Sequence, residues 1–298
     1  MKKDTQTDLY QTITDRIVDA IEDSAGTFRL PWNEAGAAGL PENIASRKPY
    51  NGINILALWI AALSRGYTRS VWGTYRQWQE KGAQVRKGEK ASLVIFYKTL
   101  GEETGERDSA EEGGERRFVA RASYVFNADQ VEGFDDPSAE PREPQFVNIE
   151  DADRFAYDSG ATILEGGAMA CYAPGEDLIR MPDRWRFHGT ASMTAAESYY
   201  ATLMHELAHW TGAPSRLDRD LKHRFGSQAY AMEELVAELT AAFLCAELGI
   251  TPETRPDHAQ YIANWLQVLK SDKRAIFNAA SKAQAAANYL KTRQQPST

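Results

Sequence analysis

Thr194–Gly212 reads TAAESYYATLMHELAHWTG. Thr194 with Glu197 three residues on is a capping-box signature, and Tyr199, Leu203, Leu207 and Trp210 recur at helical spacing. A helix is predicted across the stretch, with Gly212 and Pro214 as its stop. Within it lies His205-Glu206-Leu207-Ala208-His209, the pattern H-E-x-x-H. Positions i and i+4 share a helix face one turn apart, so both imidazoles can aim at a single ion. Zinc accepts neutral imidazole nitrogen, takes a third protein ligand, and at a reactive site keeps one position open for water. Glu206 follows the first histidine and can act as general base toward that water. Zn2+ is the expected cofactor, and other divalent metals suit the same ligands.

A third ligand is needed. The next helical stretch, Gln228–Leu248, is QAYAMEELVAELTAAFLCAEL and carries Glu233, Glu234 and Glu238. Glu234 and Glu238 are four apart and share a face. Ala231, Leu235, Val236, Leu239, Ala242 and Phe243 leave little room for a solvated acidic side. Carboxylates in such surroundings need a cation or hydrogen bonds, which a metal on the neighbouring helix would provide. The helix pair resembles the zincin group whose third ligand is a glutamate from a downstream helix. That resemblance implies Glu234 as ligand and Glu238 as the residue holding an imidazole N–H. The swapped assignment stays open, as does Glu233. Zincins also place a small sheet before the metal helix, with an edge strand that can receive an extended peptide. Tyr230, Tyr261 and His223 are the candidate donors to an oxyanion.

A length of 298 residues points to two domains, and 43% hydrophobic content permits real cores. The fold class expected is α+β. Net charge is −8, so the chain as a whole is no polycation. Cys171 and Cys245 lie in apolar surroundings and are expected reduced, which with a polar amphipathic N-terminal stretch in place of a signal peptide points to the cytoplasm. The longest apolar run, Ile53–Leu63, contains Asn54 and is too short to span a bilayer. No membrane partner is expected.

Along the chain, helices are predicted over 6–24, Ile53–Leu63 and Ser70–Lys81. Strands are predicted over Ser92–Lys98 and Phe118–Asn127, around a Gly- and Glu-rich tip at 101–115. Residues 132–145 combine proline with acid and read as a linker, giving domains 1–131 and 146–298. The second domain opens with a helix over Ile149–Ser159. Short strands follow at Ala161–Leu164, Ala168–Ala173 and Asp177–Met181. After the two metal-bearing helices come helices at Asp257–Leu269 and Asp272–Thr292.

Charge is uneven. Residues 44–98 hold ten basic residues against Glu80 and Glu89, a net +8 that leaves −16 for the rest. Aromatic residues are interleaved with them. Lysine and arginine neutralise phosphates, and flat exposed rings stack on bases, so this stretch suits a single-stranded nucleic-acid groove. The candidate contacts are Trp32, Arg47, Lys48, Tyr50, Asn51, Trp72, Tyr75, Trp78, Arg86, Lys87, Lys90, Tyr97 and Lys98. Trp59, inside an apolar helix, is expected in the core.

The strings LPWN, PENIASRKPYNGIN, WGTYRQWQEKGAQVRKGEK, VIFYK and YVFNADQVEG resemble the N-terminal domain of ArdC-type antirestriction proteins, which also occurs in plasmid-transfer primases. YYATLMHELAHWTGAPSRLDRD, FGSQAYAMEELVAELTAAFLCAELGI and HAQYIANWLQVLKSD resemble the metallopeptidase domain that accompanies it. The resemblance implies non-specific single-stranded DNA binding by the N-terminal domain, 1–131, protection of incoming plasmid DNA from restriction endonucleases during conjugation, and a zinc-dependent peptidase-like domain over 146–298. Two alternatives remain. One is a single-strand binder whose metal site is structural or not proteolytic. The other is a cytoplasmic metalloprotease acting on nucleic-acid-associated proteins.

Overall fold

The computed structural model describes residues 8–24, 39–99, 118–134, 149–166, 169–189, 193–221, 227–250 and 259–294. Of the stretches read from sequence, the LPWN segment with Trp32, the 101–115 tip, most of the 132–145 linker and His223 lie outside them. So do the side chains of Tyr97, Lys98 and Tyr261.

The N-terminal half begins with α1 (Leu9–Ser24), whose Ile13, Ile17, Val18 and Ile21 form one buried stripe. β1 (Glu42–Asn43) precedes α2 (Ile53–Arg65), an apolar helix closed by Gly66 in the left-handed conformation. β2 (Val71–Gly73), α3 (Tyr75–Glu80) and β3 (Gln84–Val85) follow, then β4 (Ser92–Thr99), β5 (Phe118–Asn127) and β6 (Val131–Glu132). The sheet order is β1-β2-β5-β4, with β4 and β5 paired antiparallel from Ser92↔Val125 to Thr99↔Phe118. β3 and β6 make a separate antiparallel pair.

The single helix expected over Ser70–Lys81 is two elements. Val71–Gly73 joins the sheet, and Thr74 starts α3 with a capping box to Gln77. β-branched Val71 and aromatic Trp72 suit a sheet better than a helix. Gly73 allows the change of direction, since a Cβ there would stand 2.5 Å from Ile44 Cγ2 and 3.1 Å from Trp78 Nε1. Asp129 ties the turn before β2 to the end of β5: it accepts from the Thr68 and Arg69 amides (2.6 and 3.2 Å) and from Arg69 Nε (2.6 Å). Asn54 is buried in α2 and bonds the Ile95 main chain of β4 in both directions, at 2.7 and 2.8 Å.

The C-terminal half runs α4 (Ile149–Asp158), β7 (Thr162–Glu165), β8 (Cys171–Ala173), β9 (Leu178–Met181), α5 (Ala195–Thr211), α6 (Gln228–Leu248), α7 (Ala259–Ser271) and α8 (Ala275–Thr292). The small sheet is ordered β7-β9-β8, so β8 pairs on one side alone among the described strands. The α+β class and two-domain architecture hold. Cys171 and Cys245 are free thiols. No helix among the described residues is long and apolar enough to cross a membrane.

The largest core is shared. It gathers α1, α2 (with Trp59), β4 and β5 from one half and α6, α7 and α8 from the other. Trp59 meets Phe243 of α6 at 6.0 Å between ring centroids. A second core packs α4, β9, α5, α8 and the other side of α6, and a third closes the β2–α3–β6 corner. Phe134 belongs to that corner, against Trp78 at 5.0 Å, so packing of the N-terminal half continues past residue 131.

Candidate metal centre and nucleic-acid face

α5 starts where its capping box predicts: Thr194 Oγ1 accepts from Glu197 N–H (3.2 Å), and Glu197 Oε2 accepts from Thr194 N–H (2.8 Å). It ends at Thr211. Gly212 caps it with φ −77°, so left-handed backbone is not what calls for glycine there. Close approach is: a Cβ would lie 2.9 Å from Arg219 Nη2, 2.9 Å from Leu221 Cδ2 and 3.0 Å from His209 O. α6 begins at Ser227, whose hydroxyl accepts from Tyr230 N–H, and stops at left-handed Gly249. α5 and α6 pack along their length, bringing their acid and imidazole groups face to face.

His205, His209 and Glu234 converge. His205 Nε2 is 3.2 Å from His209 Nε2 and 3.4 Å from Glu234 Oε2, and His209 Nε2 is 3.5 Å from Glu234 Oε1. Tetrahedral coordination with bonds of about 2.0–2.1 Å separates ligand atoms by roughly 3.3 Å. The triangle therefore fits a small divalent ion.

The outer nitrogens support this. His209 Nδ1 lies 3.4 Å from Glu233 Oε1, and His205 Nδ1 lies 3.7 Å from Glu238 Oε2. A carboxylate facing each Nδ1 favours the proton there, which leaves both Nε2 lone pairs turned inward. Two lone pairs 3.2 Å apart need a cation between them. With only protons available, burial works against charge on His205, but Glu234 and Glu238 outweigh it and raise its pKa to about 10. Burial likewise opposes the Glu234 charge, and the His205 contact overrides that, with His209 and Tyr230 assisting, holding it at about 2.

Glu206 is buried beside them, and its Oε2 accepts the Tyr172 backbone N–H at 2.8 Å. The strand with one unpaired side thus fixes the expected base. Arg216 holds that strand's hairpin to the end of α5: its guanidinium meets Asp177 and the Tyr172 hydroxyl, its Nε donates to Trp210 O at 2.5 Å, and it stacks on Trp210.

Sequence reasoning missed Arg219. Its buried guanidinium donates to Glu233 through Nη2 (2.9 Å) and Nε (3.1 Å), to Thr211 Oγ1 (2.9 Å) and to Ala208 O (2.7 Å). It neutralises Glu233, left open from sequence as a further ligand candidate, which in turn faces His209. The only local signal was one arginine in a polar loop, and loop conformation carries no periodicity.

The nucleic-acid candidates divide. Arg47, Lys48, Asn51, Tyr75, Arg86, Lys87 and Lys90 are exposed. Arg47 pairs with Glu42 (2.8 Å) and Arg86 with Glu89 (3.2 Å). Tyr50, Trp72 and Trp78 are buried, correcting the expectation that they stack on bases. Trp78 Nε1 donates to Phe126 O (3.1 Å) beneath Phe134, Trp72 packs edge-on against Tyr67, and the Tyr50 hydroxyl accepts from Asn43 Nδ2 (3.0 Å). Basic neighbours in sequence misled here: all three residues of β2 are buried, Trp78 is the buried residue of α3, and Tyr50 is buried in the loop before α2.

Residues 7–126 match the family model described as the N-terminal domain of anti-restriction factor ArdC, and residues 150–282 match a zincin-like metallopeptidase model. The crystal structure of the Mn(II)-bound antirestriction ArdC protein from the R388 plasmid superposes with a TM-score of 0.76 at 36% identity, covering 98% of this chain and all of that one. The chain belongs to the ArdC antirestriction family. Its likeness to the metal-free ArdC structure is equal in kind, with a TM-score of 0.75 at 38% identity, covering 96% of this chain and 98% of that one. Protein y4eC of Sinorhizobium fredii is 47% identical over 97% of this chain and 94% of its own length. DNA primase TraC of Escherichia coli is 35% identical over 94% of this chain but only 27% of the primase, so the ArdC-like unit also stands inside a longer protein.

Proposed function

We propose that this ArdC-family chain binds single-stranded DNA without sequence preference, shields incoming plasmid DNA from restriction endonucleases in the cytoplasm, and carries a zinc-dependent peptidase site. The observation that carries the enzymatic part is the triangle of His205, His209 and Glu234, spaced for a tetrahedral ion. The antirestriction part rests on the family and on ArdC-like neighbours along the whole chain.

A divalent ion held there would supply Lewis acidity to a water and a peptide carbonyl. The chain's own residues do the rest. Glu206, steadied by Tyr172 N–H, takes the water's proton and returns it to the leaving amine. Glu233 and Glu238 orient the imidazoles. In this reading the oxyanion donor is taken to be the half-buried Tyr230 hydroxyl, beside Glu234, one of the three candidates with Tyr261 and His223. An extended peptide seated along β8 brings its carbonyl next to Glu206.

The test is Glu206→Gln. It should retain metal and abolish peptide hydrolysis, and proteolysis surviving unaltered refutes the base assignment. Protection of DNA from endonuclease by the same variant separates the roles. Undiminished protection makes hydrolysis dispensable for antirestriction and favours the binding protein with a non-proteolytic metal site.

A further inference from the structure

A cleft of about 1120 Å³ opens where the two halves meet. The segment from Asn43 at the end of β1 to Asn54 in the first turn of α2 forms one wall, α8 the other, and Ile95 and Phe96 of β4 the floor. α8 turns a polar face to it, with Asn278, Ser281, Gln284 and Asn288 at helical spacing, while its Ala279, Ala283, Ala286 and Ala287 are buried in the cores. The walls are tied together: Gly52, at φ 55°, donates its N–H to Gln284 Oε1 at 2.9 Å. The cleft is therefore organised before any ligand arrives.

Its charge is unlike that of the chain. Acidic residues outnumber basic ones, 42 to 34, yet the charged residues among the described lining are Lys48 and Arg274, with no carboxylate. Asn51, Asn278 and Ser281 are exposed and make no side-chain hydrogen bond within the described residues. Phe96, which lines the floor, is 49% exposed. Amides offer donors and acceptors to base edges, a flat ring offers a stacking surface, and two cations suit phosphates. Small-molecule pockets run to about 1,000 Å³ and enclose their ligand. This open cleft is better matched to a run of nucleotides.

We propose that this cleft seats the DNA strand, and that α8, from the zincin-like half, forms one of its walls. The placement rests on the single-strand reading above. Strand binding then needs both halves. With two cations at the cleft, its share of the salt dependence is shallow, a slope near −1.4 at about −0.7 per neutralised phosphate.

The experiment titrates a short, mixed-sequence, fluorescein-labelled single-stranded oligonucleotide with the full chain and follows anisotropy. Arg274→Glu puts a carboxylate at the cleft. Lys282→Glu makes the same charge change on an exposed site of the same helix, outside the lining. Phe96→Ala removes the floor ring. Arg274→Glu and Phe96→Ala should each weaken binding about tenfold, and Lys282→Glu less than about twofold. Arg274 and Lys282 are exposed, so their variants should melt like the parent, which keeps the comparison valid if Phe96→Ala misfolds. Parent-like affinity of Arg274→Glu, or equal weakening by Lys282→Glu, overturns the placement while leaving single-strand binding intact. A parent chain that binds no oligonucleotide sinks the single-strand reading and the placement with it.

Discussion

Replacing Arg219 by alanine should damage fold and metal binding together. The guanidinium makes five contacts to Glu233, Thr211 and Ala208, between 2.7 and 3.3 Å, with about one-twentieth of its side chain exposed. Its loss leaves the Glu233 carboxylate almost as buried, facing only His209 among the described residues. Breaking a buried pair from one side costs about 3–5 kcal/mol. For a chain of this size that lowers Tm by on the order of 10 °C. Without the guanidinium that fixes it, Glu233 holds His209 less firmly, and weakening an outer contact of this kind costs up to roughly 10–100-fold in metal affinity. Removing both charges as Arg219→Met with Glu233→Met should restore much of the stability, because no lone buried charge remains, but not the metal affinity. Thermal melting of the chelated protein measures the first effect, and zinc competition against a chromophoric chelator measures the second. An alanine variant within about 1 kcal/mol of the parent, with unchanged zinc affinity, refutes the reasoning.

Three further outcomes are expected. Stripping divalent metal with chelator should lower Tm, since an ion at a hundred times its dissociation constant contributes about 2.7 kcal/mol to the folded state; an unmoved Tm would mean the three ligands hold no ion. Burial opposes charge on Asp129, but the Arg69 guanidinium and the Thr68 and Arg69 amides outweigh it and lower its pKa. Its contribution is therefore complete above about pH 4 and fades as pH falls through the lowered value. Asp129→Asn should cost about 1–3 kcal/mol at pH 7 and progressively less below pH 4, as read by urea unfolding at both. Asn54→Ala strands the Ile95 amide and carbonyl, and should cost at least about 2 kcal/mol in the same assay.

The metal helix was legible because its signals are local. A capping box, a helical stripe and two histidines four apart each lie within one turn or two. Glu234 could be reached from the residues only as one of three candidates, with Glu233 and Glu238, because the choice depends on how α6 is rotated against α5. Its flanking residues are apolar all round, so periodicity does not fix that rotation. Arg219 was out of reach for the same reason in stronger form, since its position follows from a loop closing over Gly212. The tryptophans failed differently. Trp72 and Trp78 lie in a stretch rich in basic residues, but a three-residue strand and a six-residue helix are each too short for a period to be read.

α6 has a consequence for how this molecule can be divided or inherited. One side of that rod presents the glutamates, and its Leu235, Val236, Leu239 and Phe243 lie in the interior that Trp59 and the first helix complete. Severing the chain near residue 140 would strip a hydrophobic seam from both fragments, and each should be sticky or molten when expressed alone. Recombination that exchanged one half for a foreign counterpart would face the same mismatch, which favours transmission as an intact cassette. The primase relative, which carries both halves side by side within a far longer polypeptide, is consistent with that constraint.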